Sequence, residues 1–341
     1  MMTVETGVGW MTRKQLPMSN VTKPLTAVER RKKTRKRLPS WFKTYLPTGE
    51  AQIAFNDVRG NVLKHQLNTV CQQAQCPNIH DCWGRGTATF MVAGEECTRA
   101  CRFCAVGTVK DPPPLDKNEP DNLAEAVDLM GVTHAVITCV NRDELSDGGA
   151  FHYRACLEAV HTRRPDIGLE FLSSDLDGNL EALAVLLNGL ELRVFAHNVE
   201  CVPRLDSVVR DHRASFDQSL KILREAKRLR PDILTKSSIM VGVGETDEEV
   251  VEAMRLLREV DVDLLTIGQY LAPSPKHLAV DRFPEPEAFS KWDQAARELG
   301  FKAVACGPLV RSSYRAGLLY EEAKGGPVTL TYGESANGET L

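Results

Sequence analysis

Between residues 88 and 310 short apolar, β-leaning runs alternate with amphipathic helical segments, and that alternation leaves few architectures open. Residues 88–92 read as a strand, 122–130 as a helix stopped by Gly131, 133–140 as a buried strand, 151–161 as a helix and 167–172 as a strand. The pattern repeats with helices over 180–187 and 216–229 and strands over 192–195 and 233–243. Thr246 and Glu249 have the spacing of a capping box for a helix over 248–260, which leads to a strand over 264–271. Residues 301–310 read as a final strand. Strand–helix–strand units of this length call for parallel pairing, with helices covering the sheet. About six of them, with polar and glycine-rich stretches after the strands, predict an α/β fold: a partial (β/α)6 TIM-like barrel rather than a doubly wound sheet.

Six of the ten cysteines lie between residues 71 and 104, a ligand-like concentration rather than a disulfide framework. Cys97, Cys101 and Cys104 follow the first strand with three and two residues between them. Soft thiolates so close together select zinc, copper(I) or an iron–sulfur cluster. A structural zinc site closes its tetrahedron with protein ligands, whereas a [4Fe-4S] cube held by three cysteines keeps one iron for a small molecule. Cys71, Cys76 and Cys82 form a second set, and Pro77 and Asn78 interrupt any continuous helix through it. By composition alone this set also admits zinc, with His80 as a fourth ligand. Cys139, Cys156, Cys201 and Cys306 stand in apolar surroundings and read as ordinary buried residues.

A formal charge of −4 gives no global reason for a nucleic-acid partner, and no apolar run is long enough to cross a bilayer. The N-terminus lacks the apolar segment of a secretory signal, so the expectation is a soluble, cytoplasmic protein in a reducing environment. The sequence divides into a basic tail over 1–37, an extension over 38–87, a barrel over 88–300, a C-terminal segment over 301–322 and a polar tail over 323–341. The run at 30–37 is read as a solvated arm, and Trp41, Phe42, Tyr45 and Leu46 as anchors that fasten the extension to the body.

Polar residues at strand ends mark the mouth of such a barrel. Asp143, Glu144 and Asp147 precede the pair Gly148 and Gly149, which permits close backbone approach. Asn198 and Glu200 follow the strand at 192–195. Lys236 shares a strand face with Ser238, and a lysine in an apolar strand needs a partner or a wet cavity.

Cys97, Cys101 and Cys104, with aromatic Phe103 before the last, resemble the signature of the radical S-adenosylmethionine enzymes. Together with Cys71, Cys76, Cys82 and the distant Arg311-Ser312-Ser313-Tyr314, they resemble the lipoyl synthase family over roughly 38–320. The resemblance also runs through Gly86-Thr87-Ala88-Thr89-Phe90-Met91, His197-Asn198 and Leu265-Thr266-Ile267-Gly268-Gln269-Tyr270. It implies two [4Fe-4S] clusters and S-adenosylmethionine. The first cysteine set would generate a radical, and the second would hold the sulfur inserted at C6 and C8 of a protein-bound octanoyl-lysine. Ser313, or its neighbour Ser312, would be the fourth ligand of the second cluster. Asp143 and Gly148 would contact S-adenosylmethionine, with Asn198, Glu200 and Lys236 as further cofactor-binding candidates. Implied partners are octanoylated lipoyl carrier domains (the glycine cleavage H protein and 2-oxoacid dehydrogenase acyltransferase subunits), a small reducing protein such as ferredoxin or flavodoxin, and an iron–sulfur carrier; nucleic acid and membrane are not expected. His80, Cys306 and the loop 173–178 depart from the usual pattern without removing a cluster ligand. Two other readings remain: a different radical enzyme with an auxiliary cluster, such as a methylthiotransferase or a biotin-synthase-like sulfur inserter, and a non-enzymatic zinc protein.

Overall fold

Seven parallel strands form one sheet in the order of the chain. They are β1 (Thr87–Val92), β2 (His134–Cys139), β3 (Gly168–Leu172), β4 (Val194–Ala196), β5 (Leu234–Val241), β6 (Leu264–Gln269) and β7 (Ala303–Gly307). The computed structural model describes residues 37–42, 48–64, 69–73 and 76–326. Residues 30–36 of the basic run, the anchors Tyr45 and Leu46, and the tail from 327 lie outside the described residues.

The connecting helices are α1 (Gly49–Lys64) and α2 (Ile79–Gly84) before the sheet, then α3 (Glu119–Met130), α4 (Ala150–Arg163), α5 (Leu180–Leu187), α6 (Phe216–Leu229), α7 (Asp247–Arg258) and α8 (Pro286–Glu298), with α9 (Ala316–Ala323) last. Local chemistry sets several of their ends. Gly131 closes α3 at φ 65°, and the Asn179 and Ser215 side chains accept N–H bonds at the starts of α5 and α6. Both halves of the Thr246–Glu249 capping box are formed at α7. Along α6, Phe216, Leu220, Leu223 and Ala226 recur at helical spacing and are buried, each large one contributing about 1.5–3 kcal/mol of transfer free energy.

One face of the sheet packs on these helices through Phe90, Phe171 and Phe195 in the first half and Ile239, Leu265 and Ile267 in the second. The other face is concave and mixed. Val194, Leu234, Leu264 and Ala303 pack there with Val310 and Leu319 of the C-terminal segment. In register with them stand polar residues: Glu170 opposite Val194, and Lys236 opposite Leu264.

Strands β1 and β7 are the two ends of the order, so the barrel is open along one seam. Residues 309–315 run along it: the Asn78 side chain donates to the Leu309 carbonyl at 2.6 Å, and the Thr89 hydroxyl donates to Ser313 Oγ at 3.0 Å. The Val310 carbonyl approaches β6 so closely that a Cβ on Gly268 would stand 2.0 Å from its oxygen. The partial barrel expected from the sequence is present with one strand more than six units supply. The run expected over 301–310 pairs with β6 as β7 before the chain turns into the seam.

Candidate metal centres

The loop after β1 carries the first cysteine set to the end of the sheet where β2, β3 and β4 also release their loops. Arg99, inside that loop, ties them together. Its guanidinium is buried and bonds Asp143 at 2.7 Å and Asp175 at 2.6 Å, joining the loops that follow β2 and β3. The Thr98 hydroxyl and Arg213 hold the other side of the Asp143 carboxylate. Ion pairs this well buried and hydrogen-bonded fix a loop geometry even where their net contribution to stability is modest.

Backbone N–H groups point at the sulfurs. Those of Arg99 and Asn141 lie 3.4 and 3.3 Å from Cys97 Sγ, and that of Asp211 lies 3.3 Å from Cys101 Sγ. Donors around thiolates favour the charged form and, in iron–sulfur sites, raise the reduction potential. Asp211 itself accepts the Ala100 N–H at 2.9 Å. Burial opposes its ionisation, yet Arg213 and this N–H hold its carboxyl well below the usual carboxylate range. Burial pushes the Cys101 thiol up to about 11, and Glu200 and Cys104 push the same way. Cys104 is raised by burial, then by Cys97 and Glu200. A soft divalent or cluster charge would displace these protons and relieve that mutual repulsion, so the donor set fits a metal–sulfur group.

The second set assembles from three local structures: Cys71 in a short helical turn, Cys76 in the loop before Pro77, and Cys82 in α2. Burial raises all three thiols; Cys76 is raised further by charge on Cys71, and Cys82 by charge on Cys76 and Cys71. The C-terminal segment closes over them. Thr89 bonds Ser313 and also stands beside the Cys71 thiol, whose thiolate it favours; the Arg315 N–H does the same for Cys82. Arg315 is fastened to Asp81 at 2.8 Å, one residue before Cys82. The same Thr89 hydroxyl that stands beside the Cys71 thiol thereby holds a serine from far along the chain. His80 packs against Phe55, with ring centroids 4.5 Å apart and planes tilted by 44°.

The expected cofactor contacts divide. Asn198 donates to Glu200 at 3.1 Å, Glu200 adopts a left-handed φ of 66°, and its carboxyl lies close enough to raise Cys101 and Cys104. Asn198 Oδ1 is buried without a partner, an acceptor awaiting a donor. Gly148, at φ 60°, packs its backbone on Leu176, where a Cβ would stand 3.1 Å from Cα. Asp143 is already engaged: its oxygens accept from Thr98, Arg99 and Arg213, which orders the cysteine loop. Lys236 is not brought to this group. Its ammonium meets Glu170 at 2.8 Å on the concave face, where both side chains are 1% exposed. That partner satisfies the buried charge that made Lys236 conspicuous.

The sequence reading missed Arg99, Asp175, Asp211 and Arg213. Their only local signal is charge within or near glycine-poor loops, which ordinarily marks a solvated surface. Among the described residues, Glu119, His152 and Cys156 also have ligand-like spacing, their atoms lying within 4.8 Å of one another. They share no residue with either cysteine set.

Residues 91–257 match the radical SAM superfamily model, and residues 12–76 match that of the N-terminal domain of lipoyl synthase. A human mitochondrial lipoyl synthase is 48% identical over 296 residues, covering 85% of this chain and 78% of its own. A chloroplastic lipoyl synthase of Arabidopsis thaliana is 50% identical over 287 residues, covering 83% and 72%. That of Marinobacter nauticus is 48% identical over 291 residues, covering 85% and 82%. Among solved structures, the FeFe-hydrogenase maturase HydG of Carboxydothermus hydrogenoformans is similar in fold, with a TM-score of 0.50 at 13% identity over 75% of this chain and 71% of its own. The expectation of a cytoplasmic protein is overturned by the relatives, which include mitochondrial and chloroplastic enzymes.

Proposed function

This chain belongs to the lipoyl synthase family of radical S-adenosylmethionine enzymes, and from that premise we propose how its residues divide the work. The reaction is radical-mediated insertion of sulfur at C6 and C8 of a protein-bound octanoyl-lysine, giving lipoyl-lysine. It requires an iron–sulfur centre and S-adenosylmethionine.

Cys97, Cys101 and Cys104 would hold one cluster, and Cys71, Cys76, Cys82 and Ser313 would hold a second. When bound, these groups supply the electron that cleaves S-adenosylmethionine and the sulfide that ends in the product. The observation that carries the second site is the Thr89–Ser313 bond, which sets the serine hydroxyl beside the Cys71 environment. An alkoxide is a harder ligand than thiolate and is less matched to iron in a sulfide cube, so Ser313 would be the weakest of the four ligands to such a group.

Around the first set, the N–H groups of Arg99, Asn141 and Asp211 stabilise thiolate charge. Asn198 and Glu200 offer acceptors to the polar groups of S-adenosylmethionine, and the Arg99–Asp143–Asp175 network keeps the loops around it in place. The octanoyl chain arrives on a lipoyl carrier domain. Electrons come from a small reducing protein of the ferredoxin or flavodoxin kind, and an iron–sulfur carrier restores the consumed cluster.

Anaerobic reconstitution, followed by mass spectrometry of an octanoyl-lysine peptide after reductant and S-adenosylmethionine are added, tests this division. The expected result is a peptide heavier by two sulfur atoms, less the hydrogens they replace. Protein that carries two cubes and cleaves S-adenosylmethionine but adds no sulfur would overturn it.

A further inference from the structure

We propose that Glu119 is a positioning residue for the first cysteine set, acting on the turn Ala93–Gly94 that leads from β1 into Cys97; this rests on the reading that the set holds a cluster. Both residues of that turn are left-handed, Ala93 at φ 69° and Gly94 at φ 93°. Alanine adopts this conformation only where its surroundings impose it. Here the imposing group comes from the first turn of α3. Glu119 Oε2 accepts the Ala93 N–H at 2.8 Å, and Oε1 lies 3.4 Å from the Gly94 N–H. His152, in the first turn of α4, contacts the same Oε2 and joins the two helix starts to the turn. From the opposite side Arg142 donates to the Ala93 carbonyl at 2.9 Å and to the Pro113 carbonyl at 2.8 Å. The turn is thus gripped at its N–H groups by Glu119 and at its carbonyl by Arg142, beside a cavity of about 310 Å³.

Glu119, His152 and Cys156 have the spacing of a metal site, but both Glu119 oxygens already face turn N–H groups, and burial raises the Cys156 thiol far above its ordinary value. The geometry is that of a brace behind a ligand loop. Groups that orient metal ligands typically change metal retention by about 10–100-fold when removed.

The test uses the full chain with Cys71, Cys76 and Cys82 replaced by Ala, so that only the first set takes up iron. Iron release to a chelator and the electron paramagnetic resonance spectrum of the reduced protein are compared for Glu119→Ala, Glu119→Gln and His152→Gln in that background. Glu119→Ala is expected to release iron about tenfold faster and to broaden the spectrum, a larger effect than the modest fall in the melting midpoint of the metal-free chain accounts for. Glu119→Gln, which keeps one acceptor for the turn, falls between. Release at the parent rate, or faster release with an equally lowered melting midpoint, would sink the proposal, the latter reducing Glu119 to general packing. So would stoichiometric zinc binding by a chain lacking all six cluster cysteines that disappears in His152→Ala. A background that takes up no iron at all removes the underlying reading of the first set, and the proposal with it.

Discussion

Replacing Lys236 by Met separates a structural lysine from a cofactor-binding one. The ammonium and the Glu170 carboxylate are 2.8 Å apart at 1% exposure, and His134 Nε2 stands 3.9 Å from the other Glu170 oxygen. Burial alone would raise the Glu170 carboxyl, yet Lys236 and His134 hold it below its ordinary value. Removing the ammonium leaves a buried carboxylate without its cation, which costs about 3–5 kcal/mol. The sign with pH follows. In Lys236→Met the Glu170 carboxyl moves above its unfolded value, so the loss is full at pH 7 and shrinks in acid as the group takes up a proton. Urea unfolding of the metal-free chain at pH 7 and pH 5 reads both effects. Lys236→Met/Glu170→Leu, which removes both charges, should return to within about 1 kcal/mol of the parent. Once reconstituted, that double variant should bind S-adenosylmethionine with unchanged affinity in equilibrium dialysis. A double variant as unstable as the single one, or one that binds the cofactor tenfold more weakly, would refute the reasoning.

Ser313→Ala should still yield 5'-deoxyadenosine but no sulfur-containing peptide, as read by chromatography and mass spectrometry of one reaction; equal loss of both products would count against separate roles for the two sites. Gly268→Ala places a methyl group 2.0 Å from the Val310 carbonyl oxygen, so it should dislodge the seam segment and lower iron content by about one cluster, measured by iron and sulfide assay. His197 is buried with Nδ1 donating to the Ser173 carbonyl and Nε2 beside Ser219, and burial lowers it to about 4. Below pH 6.5 the unfolded chain takes up a proton that the folded imidazole refuses, so stability should fall by about 2 kcal/mol by pH 5 and level off near pH 4. In His197→Gln that part of the pH dependence, read by urea unfolding, should vanish.

Helices with a sharp chemical start or stop were legible in the sequence. α5 and α6 occupy the residues expected, since Asn179 and Ser215 mark their starts, and α7 follows its capping box. α1 was not read because its inward face is only Phe55, Val58 and Val62 in a polar segment, too thin a stripe for periodicity to reveal. The six cysteines announced metal chemistry because their spacing is local. Arg99 with Asp143 and Asp175, or Thr89 with Ser313, depends on which loops the sheet brings together, and no spacing along the chain carries that. Lys236 shows the converse: a charge in an apolar strand did signal a partner, but the partner was a carboxylate two strands away.

The open seam has a consequence for how the protein comes into being. Translation produces Cys71, Cys76 and Cys82 early and residues 309–315 much later, yet Thr89, beside the Cys71 thiol, reaches Ser313 across 224 positions, and the Arg315 N–H reaches the Cys82 thiol. Until residues 309–315 emerge and lie down between the edge strands, the early thiols stand at an unsealed edge. The thiols made early are therefore covered late, and whatever reaches them before residues 309–315 emerge meets them without the Ser313 hydroxyl and the Arg315 N–H that the finished fold lays beside them.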